Sequence, residues 1–195
     1  MLDLLLQLWG GALYLSNKVL FALSEGGVGD RARKQRIAAW IIYILGVPAW
    51  VIVLIGKHDW IAASIEAGGV PAMLLGLYNA CYGHGRVSTF WNAVVTTMTY
   101  GFLLLGLGTS LWYHGGLVAL SQFLEIGVMM GFLLGSYYLA KGLSKGWLFF
   151  MLMNVSMAAL MGLQDKHVLM GQQLLSLCFV IYGFRKTLRN KLEGN

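Results

Sequence analysis

Charge is scarce in this chain of 195 residues: charged side chains make up 11%, and Asp and Glu together number 8. A soluble domain carries about a quarter charged residues, so a water-exposed globule is a poor description of it. Proline is limited to Pro48 and Pro71, and cysteine to Cys81 and Cys178. Two distant cysteines make neither a metal motif nor a disulfide framework and read as small packing residues. His58, His84, His114 and His167 stand at no metal-ligand spacing and read as solvated loop residues. There is no phosphate-cradling glycine motif and no Ser/His/Asp arrangement. The chain therefore gives an enzyme little to work with, and no cofactor is implied.

What fills the chain is apolar. Hydrophobic residues make up 58%, and mean hydropathy is +0.69. Seven long apolar stretches cover residues 2–23, 37–55, 60–81, 88–112, 116–140, 146–163 and 168–184. About 20 apolar residues in a helix cross the hydrocarbon of a bilayer. Unpaired backbone groups are not tolerated there, so each stretch is expected to be helical. The expected fold is an all-α membrane protein with seven transmembrane helices. The first stretch lacks a basic flank and has Asp3 instead, so it reads as a retained helix rather than a cleaved signal. The prolines in the second and third stretches predict kinks, either static or serving as hinges.

The formal charge of +6 is unevenly spread. Arg31, Arg33, Lys34 and Arg36 fall in the first loop, Arg86 in the third, and Lys141 and Lys145 in the fifth. Arg185, Lys186, Arg189 and Lys191 close the chain. The alternate loops hold only Lys57 and Lys166. Lys18 is expected to snorkel toward the basic side. Basic loops stay in the cytoplasm, which predicts the N-terminus outside and the C-terminus inside. Topology thus explains the positive charge, and a nucleic-acid partner is not implied. The lipid bilayer is the expected surrounding, with anionic lipid contact at the tail.

An internal repeat is visible at an offset of 107. Trp40 and Tyr43 align with Trp147 and Phe150, the polar turn at Lys57–Asp59 aligns with Gln164–Lys166, and Glu66 aligns with Gln173. The chain divides into a first three-helix unit (1–81), a linker helix (88–112), a second three-helix unit (116–186) and a tail (187–195). One linker helix lets both units enter the membrane from the same side. The repeats are then parallel, related by an axis along the membrane normal.

Several segments resemble the nicotinamide-riboside transporter family, the PnuC-type vitamin transporters. They are Leu139-Ala140-Lys141, Gly146-Trp147, Phe150, Asn154-Val155-Ser156 and the closing Tyr182-Gly183-Phe184-Arg185. Glu125 matches an acidic residue early in the family's fifth helix, and Glu66 stands where the family carries Gln. Gly146 replaces the family's Asn before the tryptophan, and Tyr43 and Phe150 stand where tryptophans are usual. The resemblance spans roughly 37–190. It implies a 3+1+3 fold similar to the SWEET sugar transporters, a homotrimer, and a bacterial inner membrane location. It also implies facilitated uptake of a small vitamin precursor, foremost nicotinamide riboside. Relatives carry thiamine or (deoxy)nucleosides, and a non-transporting membrane scaffold is the reading from another class.

Glu66, Glu125, Asn154 and Gln173 are the candidate polar contacts for a small-molecule substrate. Ionisable and polar groups in hydrocarbon face a wet cavity or another helix. Each could instead lock the bundle, and of the adjacent Gln172 and Gln173 one is expected to face the pocket. Trp40 and Tyr43, and Trp147 and Phe150, are i, i+3 aromatic pairs able to clamp a flat ring. Their alternative is the interfacial aromatic belt, where Trp60 and Trp112 are placed. With no basic residue expected deep in the bundle, a 5′-phosphate on the substrate is expected to prevent binding.

Overall fold

The computed structural model describes residues 2–25, 27, 29–114, 116 and 119–193. Among these residues eight helices form: α1 (Leu2–Ser24), α2 (Asp30–Gly56), α3 (Trp60–Gly68), α4 (Val70–Tyr82), α5 (Thr89–His114), α6 (Leu120–Ala140), α7 (Lys145–Leu163) and α8 (His167–Glu193). No strand occurs among the described residues. Among the described residues, six segments are long and apolar enough to cross a membrane: α2, α3 with α4, α5, α6, α7 and α8. Such helices are compatible with a multi-pass membrane protein. The sequence predicts seven such helices. The seventh, α1, has the length but is not among the six, since Gln7, Asn17 and Lys18 interrupt its apolar run.

The predicted third span is not one helix. It breaks at Gly69, where the Gly69 N–H donates to the Glu66 carbonyl at 3.3 Å in a tightened turn. Pro71 causes the break from the other side: it has no N–H to return to the preceding turn, and it falls in the first turn of α4, where none is needed. Two rings fill the space, Phe102 against Gly68 and Phe132 against Gly69. Pro48, by contrast, lies within an unbroken α2.

Packing joins the helices in a closed circuit. α1 lies on α2 and α8, α2 on α3 and α4, α4 on α6, α6 on α7, and α7 on α8. α5 stands outside the circuit against α3, α4 and α6. Small residues set the closest approach, as expected where van der Waals packing drives association. Gly127, Gly131 and Gly135 recur every fourth residue along α6 and receive Ser156, Met153 and Phe150 of α7. Outward faces are apolar, with Ile52, Leu104 and Leu175 exposed. Such a surface suits lipid and would be a liability in water.

Candidate functional site

Between these helices lies a cavity of about 1010 Å³, lined in part by Gly106, Thr109 and Ser110 of α5. It reaches the end of the bundle that carries the α2–α3 turn (Lys57, His58, Asp59) and the α7–α8 turn (Gln164, Lys166). Its volume is at the upper end for small-molecule sites. Glu66, Glu125 and Gln173 all line it. Glu66 is in the last full turn of α3, just before the break, and its Oε1 accepts a hydrogen bond from the Tyr14 hydroxyl. Glu125 is exposed on α6, and Gln173 is half-buried on α8. Gln172 lines the cavity too, correcting the expectation that only one of the pair would. Its Nε2 donates to the Gly11 carbonyl at 2.7 Å, tying α8 to α1.

The remaining candidates form a packed layer beneath the cavity. Trp40, Tyr43, Trp147, Phe150 and Asn154 are each 0–1% exposed and do not reach its surface. The belt alternative does not fit Trp40 or Trp147, whose indoles point inward, whereas Trp60 and Trp112 are exposed at helix ends. A Cβ at Gly76 would come within 2.3 Å of the Trp40 ring, and one at Gly183 within 2.6 Å of Trp147. Glycine is what lets each indole fold into its neighbouring helix. Tyr43 is the hub of the layer. Its ring meets those of Tyr14 at 5.0 Å, Trp40 at 6.2 Å, Phe132 at 6.1 Å and Phe150 at 6.3 Å. Its hydroxyl shares a 3.1 Å hydrogen bond with Ser136. Asn154 Nδ2 donates to the Phe150 carbonyl at 2.6 Å, while its Oδ1 has no hydrogen-bond partner; neither has Trp147 Nε1.

Below this layer is a smaller hollow of about 120 Å³, at the end with the α4–α5 and α6–α7 turns. Trp40 and Trp147 border it, together with Arg36, Glu25 and His84. Arg36 pairs with Glu25 at 3.6 Å. The His84 imidazole, partly covered and facing the Arg36 guanidinium, is pushed below its ordinary pKa of 6.5. The aromatic layer thus separates a wide cavity on one side from a narrow hollow on the other.

Lys18 is the residue that sequence reasoning misplaced. It does not snorkel: it is 1% exposed, and its Nζ lies 3.5 Å from the Phe150 ring centre and 4.4 Å from that of Tyr43. It also lines the cavity, so a basic group does lie deep in the bundle, and the premise for excluding a phosphate fails. Neighbouring Asn17 is fully buried, with neither amide atom hydrogen-bonded. The signal was present in α1, where Tyr14, Asn17, Lys18 and Phe21 follow the i, i+3, i+4, i+7 spacing of one helix face. Three polar groups on one stripe of an apolar helix point inward, not outward. Among the described residues no cluster of three His, Cys, Asp or Glu could hold a metal. No family model, no curated protein and no solved structure matches the chain, so the site is read from its own geometry.

Proposed function

We propose that this protein is a membrane carrier for a small, nucleoside-sized vitamin precursor, working by alternating access without an enzymatic step. The observation that carries this reading is the cavity: lined by seven helices, reaching the end with the α2–α3 and α7–α8 turns, and polar at depth through Glu66, Gln173 and Lys18. A scaffold would have no use for a wide, mostly apolar cavity with a few polar groups at depth. The aromatic layer is the closed gate of the opposite side. On the topology drawn from the basic loops, the N-terminus is outside, the C-terminus is cytoplasmic, and the cavity faces outward.

The carrier is read as two parallel three-helix units, α1–α4 and α6–α8, linked by α5. Helix pairing supports this. In each unit the central helix, α2 or α7, touches both flanking helices, and the units meet through α1 on α8 and α4 on α6. Gly183 lies 107 positions after Gly76, the same separation as Trp147 from Trp40. The resemblance to nicotinamide-riboside transporters suggests that vitamin as cargo, a trimeric assembly and a bacterial inner membrane. Thiamine and (deoxy)nucleosides are the alternatives, and the buried ammonium of Lys18 favours an uncharged nucleoside. Calorimetric titration of the purified protein with nicotinamide riboside, thiamine and thymidine tests the reading. Saturable binding of one of them, weakened at least about tenfold by Gln173→Ala, is the expected result. No binding of any would leave a scaffold as the better description.

A further inference from the structure

The packed layer beneath the cavity carries more unpaired hydrogen-bonding capacity than a finished core tolerates, and of its orphan groups the Lys18 side chain is the one that also lines the cavity. Lys18 Nζ, both amide atoms of Asn17, Trp147 Nε1 and Asn154 Oδ1 are all buried without a hydrogen-bond partner. Buried polar groups are normally satisfied, and each orphan is costly. Three of the four residues present donors: the ammonium, the Asn17 amide and the indole N–H. Among the described residues no ion pair within 4.0 Å involves Lys18; of the two carboxylates that line the cavity beside it, Glu66 accepts from Tyr14 through one oxygen and Glu125 is exposed on α6. Lys18 instead rests in the box formed by the Phe150 and Tyr43 rings. That box is the place where a cationic aromatic ring would gain most, and it is filled by the protein's own cation.

We propose that Lys18 reads the charge of the cargo: the cavity floor takes an uncharged solute by an acceptor-bearing ring edge and rejects organic cations. A carbonyl or ring nitrogen entering from the cavity supplies the acceptor that the ammonium lacks. A pyridinium or thiazolium offers no acceptor at its charged atom and meets a like charge at low dielectric, where repulsion is strong. The inference rests on the carrier reading and narrows its substrate class, setting nicotinamide riboside in its cationic form and thiamine below neutral nucleosides.

The test uses one scaffold in two charge states. Nicotinamide riboside is a pyridinium, and its two-electron reduced dihydropyridine form is uncharged at nearly the same size. Both are titrated calorimetrically into the wild-type protein, into Lys18→Met and into Lys18→Gln, with thymidine as a second neutral ligand. The wild type is expected to prefer the reduced form by at least about tenfold, and the two variants to bring the ratio close to one. Equal or tighter binding of the cation by the wild type overturns the proposal. So does a ratio that both variants leave unchanged. If neither variant assembles, the wild-type ratio decides alone. If the wild type binds none of the three ligands, the carrier reading fails together with this inference. Binding without charge preference removes the inference and leaves the carrier standing.

Discussion

At the scale of single residues, the closest fits in the molecule are glycines facing rings. A methyl group at Gly76 would have to displace the Trp40 indole, which is 1% exposed and has no room to retreat. Gly76→Ala is therefore expected to destabilise the protein by about 1–3 kcal/mol through overpacking. Gly101 is the matched control: it is helical, exposed and has nothing within 4 Å of a new Cβ. There Ala gains on helix propensity by up to about 1 kcal/mol, so Gly101→Ala is expected to be neutral or stabilising. Thermal unfolding in one detergent, followed for both variants, checks the contrast. The two neighbouring glutamines separate in a similar way. Gln172→Ala frees the Gly11 carbonyl and is expected to cost about 1 kcal/mol of stability. Gln173→Ala is expected to leave stability unchanged and lower ligand affinity. Melting temperature and calorimetry on the same two variants tell the roles apart.

At the scale of elements, helix ends on the basic side are closed by side chains from other helices. Arg33 of α2 donates through Nε to the Ala80 carbonyl at 3.3 Å and through Nη2 to that of Cys81, capping α4. Asn79 Nδ2 donates to the Ala140 carbonyl at 3.0 Å at the end of α6, and Lys186 Nζ to the Leu23 carbonyl at 3.3 Å at the end of α1. Helix C-termini carry partial negative charge and unpaired carbonyls, so these donors act twice. Arg33→Ala is expected to destabilise by about 1 kcal/mol, with Lys recovering only part because it lacks the planar fork. Denaturant or thermal unfolding of the two variants measures it. The α4–α5 turn adds a pH dependence through His84, whose pKa is held below 6.5. The folded state thus binds fewer protons than the unfolded one. Its contribution to stability is complete above pH 6.5 and declines as pH falls from 6.5 toward the lower folded value. Melting temperature recorded from pH 7.5 to about 5 should show a shallower acid decline in His84→Gln than in the wild type.

At the scale of the whole molecule, orientation is the decisive quantity. Reporters fused to the two termini should read opposite sides, the C-terminus in the cytoplasm. With Cys81 and Cys178 replaced by serine, a membrane-impermeant thiol reagent should label Gln173→Cys and Glu125→Cys from outside but not Asn154→Cys, which is 0% exposed. The all-helical character and most helix bounds were legible in the chain, because 20-residue apolar runs have few alternatives in a bilayer. The candidate site was legible in part. Glu66, Glu125 and Gln173 stood out as polar residues amid apolar neighbours, and all three reach the cavity. The depth of the aromatic residues was not legible, since one tryptophan near a helix end reads the same whether it faces lipid or a glycine on the next helix. Lys18 was misread for a related reason. Its distance from the helix end suggested reach to water, while the polar stripe of Tyr14 and Asn17 beside it carried the better signal. The proline of the third span did signal a local disturbance, found as a one-residue break at Gly69, whose backbone stays helical.

The seating of the two indoles has a mechanical consequence. Trp40 is lodged in Gly76 and Trp147 in Gly183, so each is fastened to a partner on its own side of α5. Neither indole needs to leave its seat for the molecule to part between α2 and α7. What must slide is a short seam: the Tyr43 hydroxyl against Ser136, the Tyr43 ring against Phe132 and Phe150, and the Lys18 ammonium against Phe150. Parting the two blocks also breaks the hydrogen bonds that Asn79 makes to Ala140, Gln172 to Gly11 and Lys186 to Leu23. On the carrier reading proposed above, this boundary is the fault plane along which two blocks would shear, with the strain kept out of either interior.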